Sequence, residues 1–237
     1  MNTDNKGLKR AKANTVAASN QLKREGYVTV TNGENDSLKV LFVGNSITRH
    51  APKVDIGWDG DWGMAASGAE RDYVHQVVRR LEKRYGAVSY CIAQASEWES
   101  NFIDGDTILP KYYQEARDFA ADIVIIRLGE NLNREMDQKT SFQPYFDRMI
   151  RFFASNPKAV ILVTDTFWKM EIFSERIREV IAENGYIYCG LSDLEEDERT
   201  MALGLFAHGG VAVHPGDYGM QCIAKRIIAA LPTIEAP

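Results

Sequence analysis

A chain of 237 residues, 45% hydrophobic and 26% charged, has enough apolar material for one α/β domain and shows no internal repeat or low-complexity segment. Its formal net charge of -5, with basic residues interspersed among acidic ones, argues against a nucleic-acid surface and favours small or uncharged partners. Cys91, Cys189 and Cys222 are odd in number and no two are close enough to form a zinc ligand pair, so no metal or cofactor is expected. With no apolar run of spanning length and no secretion signal, a cytoplasmic protein without membrane contact is expected.

In chain order, residues 1–25 are polar and read as an extension. Residues 27–31 alternate apolar and polar and end at Asn32-Gly33, which predicts a short edge strand within an N-terminal extension of 1–37, ahead of a domain spanning 38–237. The apolar run 40–43 predicts the first domain strand. Ser67-Gly68-Ala69-Glu70 reads as a capping box opening a helix whose Val74, Val77, Val78, Leu81 and Tyr85 share a face, ended by Gly86. There follow a strand at 88–92, a helix at 110–120 and a strand at 123–126. A helix marked by Phe142, Phe146, Met149, Ile150 and Phe153 precedes a strand at 160–163. Ile172, Ile177, Val180 and Ile181 mark another helix, closed by Gly185; a fifth strand spans 186–191, and a last helix runs from about 216 to 231. Strands separated by such helices imply a three-layer α/β/α domain with a mainly parallel five-stranded sheet.

Ligands of such sheets bind at the carboxyl ends of the strands. Four segments fall there or at the start of the last helix: Gly44-Asn45-Ser46, 94–98, Gly129-Glu130-Asn131 and Val213-His214-Pro215. Ser46, on the turn leaving the first strand, can be a nucleophile; alternatively Ser46 and Thr48 only satisfy the turn. His214, held extended by Pro215, can be its base. His208 is the main rival, whereas His75 reads as structural. Asn131 supplies a neutral amide donor for a developing oxyanion, or else only tightens its loop.

A serine after the first strand, an asparagine after the third and a His-Pro before the last helix resemble the SGNH hydrolases, the GDSL-type esterases and acylhydrolases. The resemblance covers about 38–231. It implies a flavodoxin-like SGNH hydrolase fold, Ser46 as nucleophile, His214 as base, and an oxyanion hole of the Ser46 N–H, the Asn131 amide and a main-chain N–H near Glu97 or Trp98. Three positions depart from the family pattern. Gly-Asp-Ser is Gly44-Asn45-Ser46, the glycine after the second strand has no counterpart, and the aspartate three residues before the histidine is Val211. The group orienting His214 is then Glu130, Glu97 or a backbone carbonyl.

Trp58, Trp62, Trp98 and Trp168 fall in predicted loops. Aromatic faces near a cleft stack on sugars, which makes Trp58, Trp62 and Trp168 candidate substrate contacts; packing as lids is the alternative. The acidic run 193–198 reads as a solvated face. The expected activity is hydrolysis of a small acyl ester, acetyl or similar, on a small-molecule or saccharide substrate. The alternative is a carbohydrate-binding protein of the same fold that has lost the triad acid. A nucleotide-binding domain is disfavoured, because no glycine-rich phosphate motif follows the first strand.

Overall fold

The computed structural model describes residues 26–33 and 37–234. The strands are β1 (Val28–Thr31), β2 (Leu38–Gly44), β3 (Val88–Gln94), β4 (Ile123–Arg127), β5 (Val160–Thr164) and β6 (Ile187–Cys189). Between and after them come α1 (Tyr73–Tyr85), α2 (Ser96–Ser100), α3 (Gly105–Tyr112), α4 (Gln114–Asp118), α5 (Arg134–Lys139), α6 (Gln143–Phe153), α7 (Glu171–Asn184), α8 (Gly209–Ala212) and α9 (Asp217–Ala230).

The sheet order is β1-β3-β2-β4-β5-β6, with every pair parallel except β1 with β3. Strand periodicity builds the layers. In β2, Val40 and Phe42 join a core cluster with Val74, Val77 and Leu81 of α1 and Met220, Ile223 and Ile227 of α9. Leu41 and Val43, pointing the other way, join Phe146, Met149 and Phe153 of α6 and Ile177 and Ile181 of α7. The central strand is thus buried on both faces, as a continuous apolar run requires. Each fully buried Val, Leu or Phe side chain contributes about 1.5 to 3 kcal/mol.

The fold is the expected three-layer α/β/α arrangement, with six strands instead of five because β1 joins the sheet. Its register pairs Val28 with Ala93 and Thr31 with Tyr90. Tyr27, at the head of β1, is buried and stacks on Tyr113 at 5.8 Å. The chain before residue 26 lies outside the described residues.

Two expected helices differ. The segment expected as one helix at 110–120 belongs to two, α3 and α4, meeting at Tyr113, whose ring turns inward against Tyr27 and Phe153 while its hydroxyl donates to the Gln94 carbonyl. The expected capping box does not open α1. Asp72 is the N-cap, its carboxylate accepting from the His75 N–H at 2.8 Å and from Gly63 N–H at 3.2 Å. Ser67 instead donates to Asp217 at the start of α9, through both its N–H and its hydroxyl.

Candidate active site

The turn leaving β2 is closed by the Thr48 and Arg49 N–H groups, which donate to the Asn45 carbonyl at 2.9 and 3.0 Å. Gly44 cannot be replaced here, since a Cβ would lie 1.8 Å from Thr48 Oγ1. That threonine hydroxyl is fixed in turn by the Tyr73 hydroxyl at 2.8 Å. The segment 62–64 runs alongside: Met64 N–H donates to the Ser46 carbonyl, and His50 N–H to that of Trp62. The turn therefore presents the Ser46 side chain from a backbone held on both sides.

Ser46 and His214, 168 residues apart, meet with Oγ and Nε2 at 2.9 Å. Nδ1 of the same ring lies 2.6 Å from the Gly210 carbonyl oxygen. A carbonyl can only accept, so Nδ1 carries the proton, and the neutral ring offers its Nε2 lone pair to the serine hydroxyl. Burial pushes the His214 pKa down to about 4; the Gly210 bond and the Glu130 charge oppose this, while His50 and Arg127 add to it. At neutral pH the ring is a free base.

Local structure explains that carbonyl. Gly210 lies in α8, a single turn whose last carbonyls have no helical partner of their own. His214 N–H closes back on Val211 instead, at 3.0 Å, and Pro215 has no N–H to give. The Gly210 oxygen is left for the imidazole. Val211 is fully buried in a cluster with Ile56, Trp58, Met64, Ala65 and Ala202, an apolar setting for the position where the resemblance places an aspartate.

Glu130, expected to orient His214, does not do so. Its Oε1 accepts from Arg127 at 2.6 Å and from Phe167 N–H at 2.9 Å, and its Oε2 from Asn45 Nδ2 at 2.7 Å and Arg127 at 3.2 Å. Burial works against its ionisation, but the Arg127 guanidinium outweighs this and holds its pKa below the usual carboxylate range. Glu97, the second candidate, accepts from the Tyr27 hydroxyl at 3.2 Å.

Asn131 sits beyond β4 with its side-chain amide donating to Glu99 Oε2 at 2.9 Å. Glu99, which the sequence reading passed over, is fully buried and accepts through Oε1 from Gly129 N–H at 2.7 Å, Asn45 Nδ2 at 3.3 Å and Asn131 N–H at 3.4 Å. Burial, followed by the Glu130 charge, raises its pKa to about 7. Its only sequence signal is a second acid, two residues after Glu97, in the segment that follows β3.

The tryptophans divide. Trp98 belongs to α2 and not to a loop; its indole packs on Phe102 and Phe146 in the core, leaving only its main-chain N–H for an oxyanion. Trp58, 1% exposed, donates to the His50 carbonyl and cannot offer a face to a sugar. Trp62 is half-buried on the segment beside Ser46. Trp168 meets the His214 ring edge-to-face at 5.1 Å and donates to the Val213 carbonyl at 3.2 Å. His208 is buried at the start of α8, where its carbonyl accepts from Val211 and Ala212, and His75 is held by Asp72. Among the described residues, no cluster of His, Cys, Asp and Glu is arranged to hold a metal ion, and no helix is long and apolar enough to cross a membrane.

No protein-family model and no curated protein sequence matches the chain. Solved structures do. A protein described as a GDSL-like lipase, from Parabacteroides merdae, aligns over 82% of this chain and 95% of its own at 14% identity and a TM-score of 0.55. TesA aligns over 81% and 97%, at 17% identity and 0.51. A family two carbohydrate esterase from Clostridium thermocellum, in complex with cellohexaose, aligns over 81% of this chain at 15% identity and 0.51; the match spans 62% of that chain. The fold is that of GDSL-type (SGNH) lipolytic proteins and carbohydrate esterases, and the likeness extends over four-fifths of this chain.

Proposed function

We propose that this chain is a serine esterase that hydrolyses a small acyl ester, acetyl foremost, on a carbohydrate. The observation that carries the reading is the 2.9 Å approach of Ser46 Oγ to a histidine nitrogen whose lone pair is fixed by the Gly210 carbonyl on the opposite side of the ring. A catalytically silent binding protein has no need of that alignment.

Ser46 Oγ attacks the ester carbonyl carbon as His214 Nε2 takes its proton. The oxyanion is received by the Asn131 amide and the Ser46 N–H, a kind of contact worth roughly 3 to 4 kcal/mol per donor. Collapse breaks the carbon–oxygen bond, and His214 returns the proton to the departing sugar hydroxyl. Water, deprotonated by the same nitrogen, then attacks the acyl-enzyme and releases the carboxylic acid and free Ser46. The imidazolium formed in each half-reaction rests on the Gly210 carbonyl dipole and the nearby Glu130 charge rather than on a carboxylate hydrogen bond. This is a Ser-His dyad.

Two observations support a carbohydrate substrate: half-buried Trp62 and Trp168 flank the dyad, and one structural neighbour carries cellohexaose. The test compares kcat/KM on acetylated oligosaccharides, p-nitrophenyl acetate and longer-chain p-nitrophenyl esters. Acetyl esters are expected to lead, with Ser46→Ala lowering kcat roughly a thousandfold or more. A preference for long acyl chains would replace the sugar-ester reading with a lipase-like one, and full activity in Ser46→Ala would end both.

A further inference from the structure

Behind the dyad lies a buried polar network that the mechanism above leaves unused. Its two carboxylates, Glu99 and Glu130, share one amide, Asn45, and stand beside one cation, Arg127, which bonds to Glu130. Asn45 is fully engaged: Nδ2 donates one proton to each carboxylate, while Oδ1 accepts from Arg127 and from Ile47 N–H. Arg127 is bidentate on Glu130, so Glu130 holds the positive charge and Glu99 is left to neutral donors.

Besides Asn45, those donors are residues of the oxyanion loop. Three N–H groups, of Gly129, Asn131 and the Asn131 side chain, converge on the Glu99 carboxylate. Gly129 makes the convergence possible, for its φ of +139° suits only glycine, and a Cβ there would lie 2.8 Å from Thr166. The loop is docked a second time by Asn133 N–H on the Glu99 main-chain carbonyl, at 3.3 Å. A side-chain amide has two N–H bonds. With one tied to Glu99, the direction of the other is set.

We propose that Glu99 is a positioning residue of the esterase site: its carboxylate fixes the Asn131 amide so that the second N–H of that amide meets the oxyanion. The proposal rests on the esterase reading and deepens it. Among the described residues, every hydrogen bond to the Glu99 carboxylate comes from an N–H donor, so the ionised form fits this setting and a protonated one sets an O–H against a donor. Burial and Glu130 favour the protonated form, and the loop donors and Arg127 favour the ionised one. Tyr113 faces the same carboxyl from between α3 and α4, and Glu97 lies on its own helix. The balance lies at about pH 7. Hydrolysis therefore falls as pH drops through about 7, well before His214 protonates at about 4.

The experiment pairs kinetics with NMR of the Asn131 side-chain amide, identified by its loss in Asn131→Ala and followed from about pH 5 to about pH 9. In wild type and in Ser46→Ala the amide signals should titrate with a midpoint near 7. In Glu99→Gln they should be flat, with kcat for p-nitrophenyl acetate reduced roughly tenfold or more, KM little changed, and the limb near pH 7 gone. Asn131 signals that stay flat in wild type overturn the proposal even if Glu99→Gln fails to fold, and so does a folded Glu99→Gln with wild-type kcat and pH profile. Either result, with wild type hydrolysing the ester, leaves the esterase reading standing. A wild type that hydrolyses no ester removes that reading and this proposal together.

Discussion

Asn45 stands where the Gly-Asp-Ser pattern has an aspartate, and its contacts give the reason. Its Nδ2 bridges Glu99 and Glu130 at 3.3 and 2.7 Å; an aspartate would turn a donor into a third carboxylate beside two others, with one arginine among them. Asn45→Asp, although it restores the family pattern, is expected to lower stability by roughly 1 to 3 kcal/mol, a Tm loss of several degrees in a chain of this size. Thermal melts near neutral pH check this, and an unchanged or higher Tm would refute it. Ser46, Asn131 and His214 were legible because each is a distinctive residue at a strand end or helix start in a set order. Glu99 was not, because its importance lies in burial and in donors some thirty residues or more away, Gly129 and Asn131 among them.

At the scale of elements, the single turn α8 holds the His214 imidazole where a triad would use a carboxylate. Its Gly210 carbonyl orients the imidazole because Pro215 and the tight His214–Val211 closure leave that oxygen unclaimed. Periodicity predicts long helices well but carries no signal for a four-residue turn, so sequence alone left a carboxylate and a carbonyl as equal candidates. Val211→Asp tests the difference. Its side chain would enter the cluster of Trp58, Met64 and Ala202, and the expected outcome is a loss of about 3 kcal/mol or more with no gain in kcat. A stable variant with raised kcat would show that the turn can host a triad acid after all. The same limit explains α3 and α4: the apolar spacing through 110–120 reads as one helix, and only the packing of Tyr113 between Tyr27 and Phe153 reveals the break.

For the whole molecule, the alternation of apolar strands and amphipathic helices was enough to give the three layers and the parallel sheet. It understated the sheet by one strand, since β1 pairs antiparallel at the edge and its membership depends on a long-range partner in β3. The central claim is that this fold brings Ser46 and His214, from opposite ends of the chain, into one nucleophilic pair. Fluorophosphonate labelling read by intact mass tests it most directly. Wild type should gain a single covalent adduct; Ser46→Ala should gain none and His214→Ala should react far more slowly. An unlabelled wild type, or labelling that persists in Ser46→Ala, would contradict it.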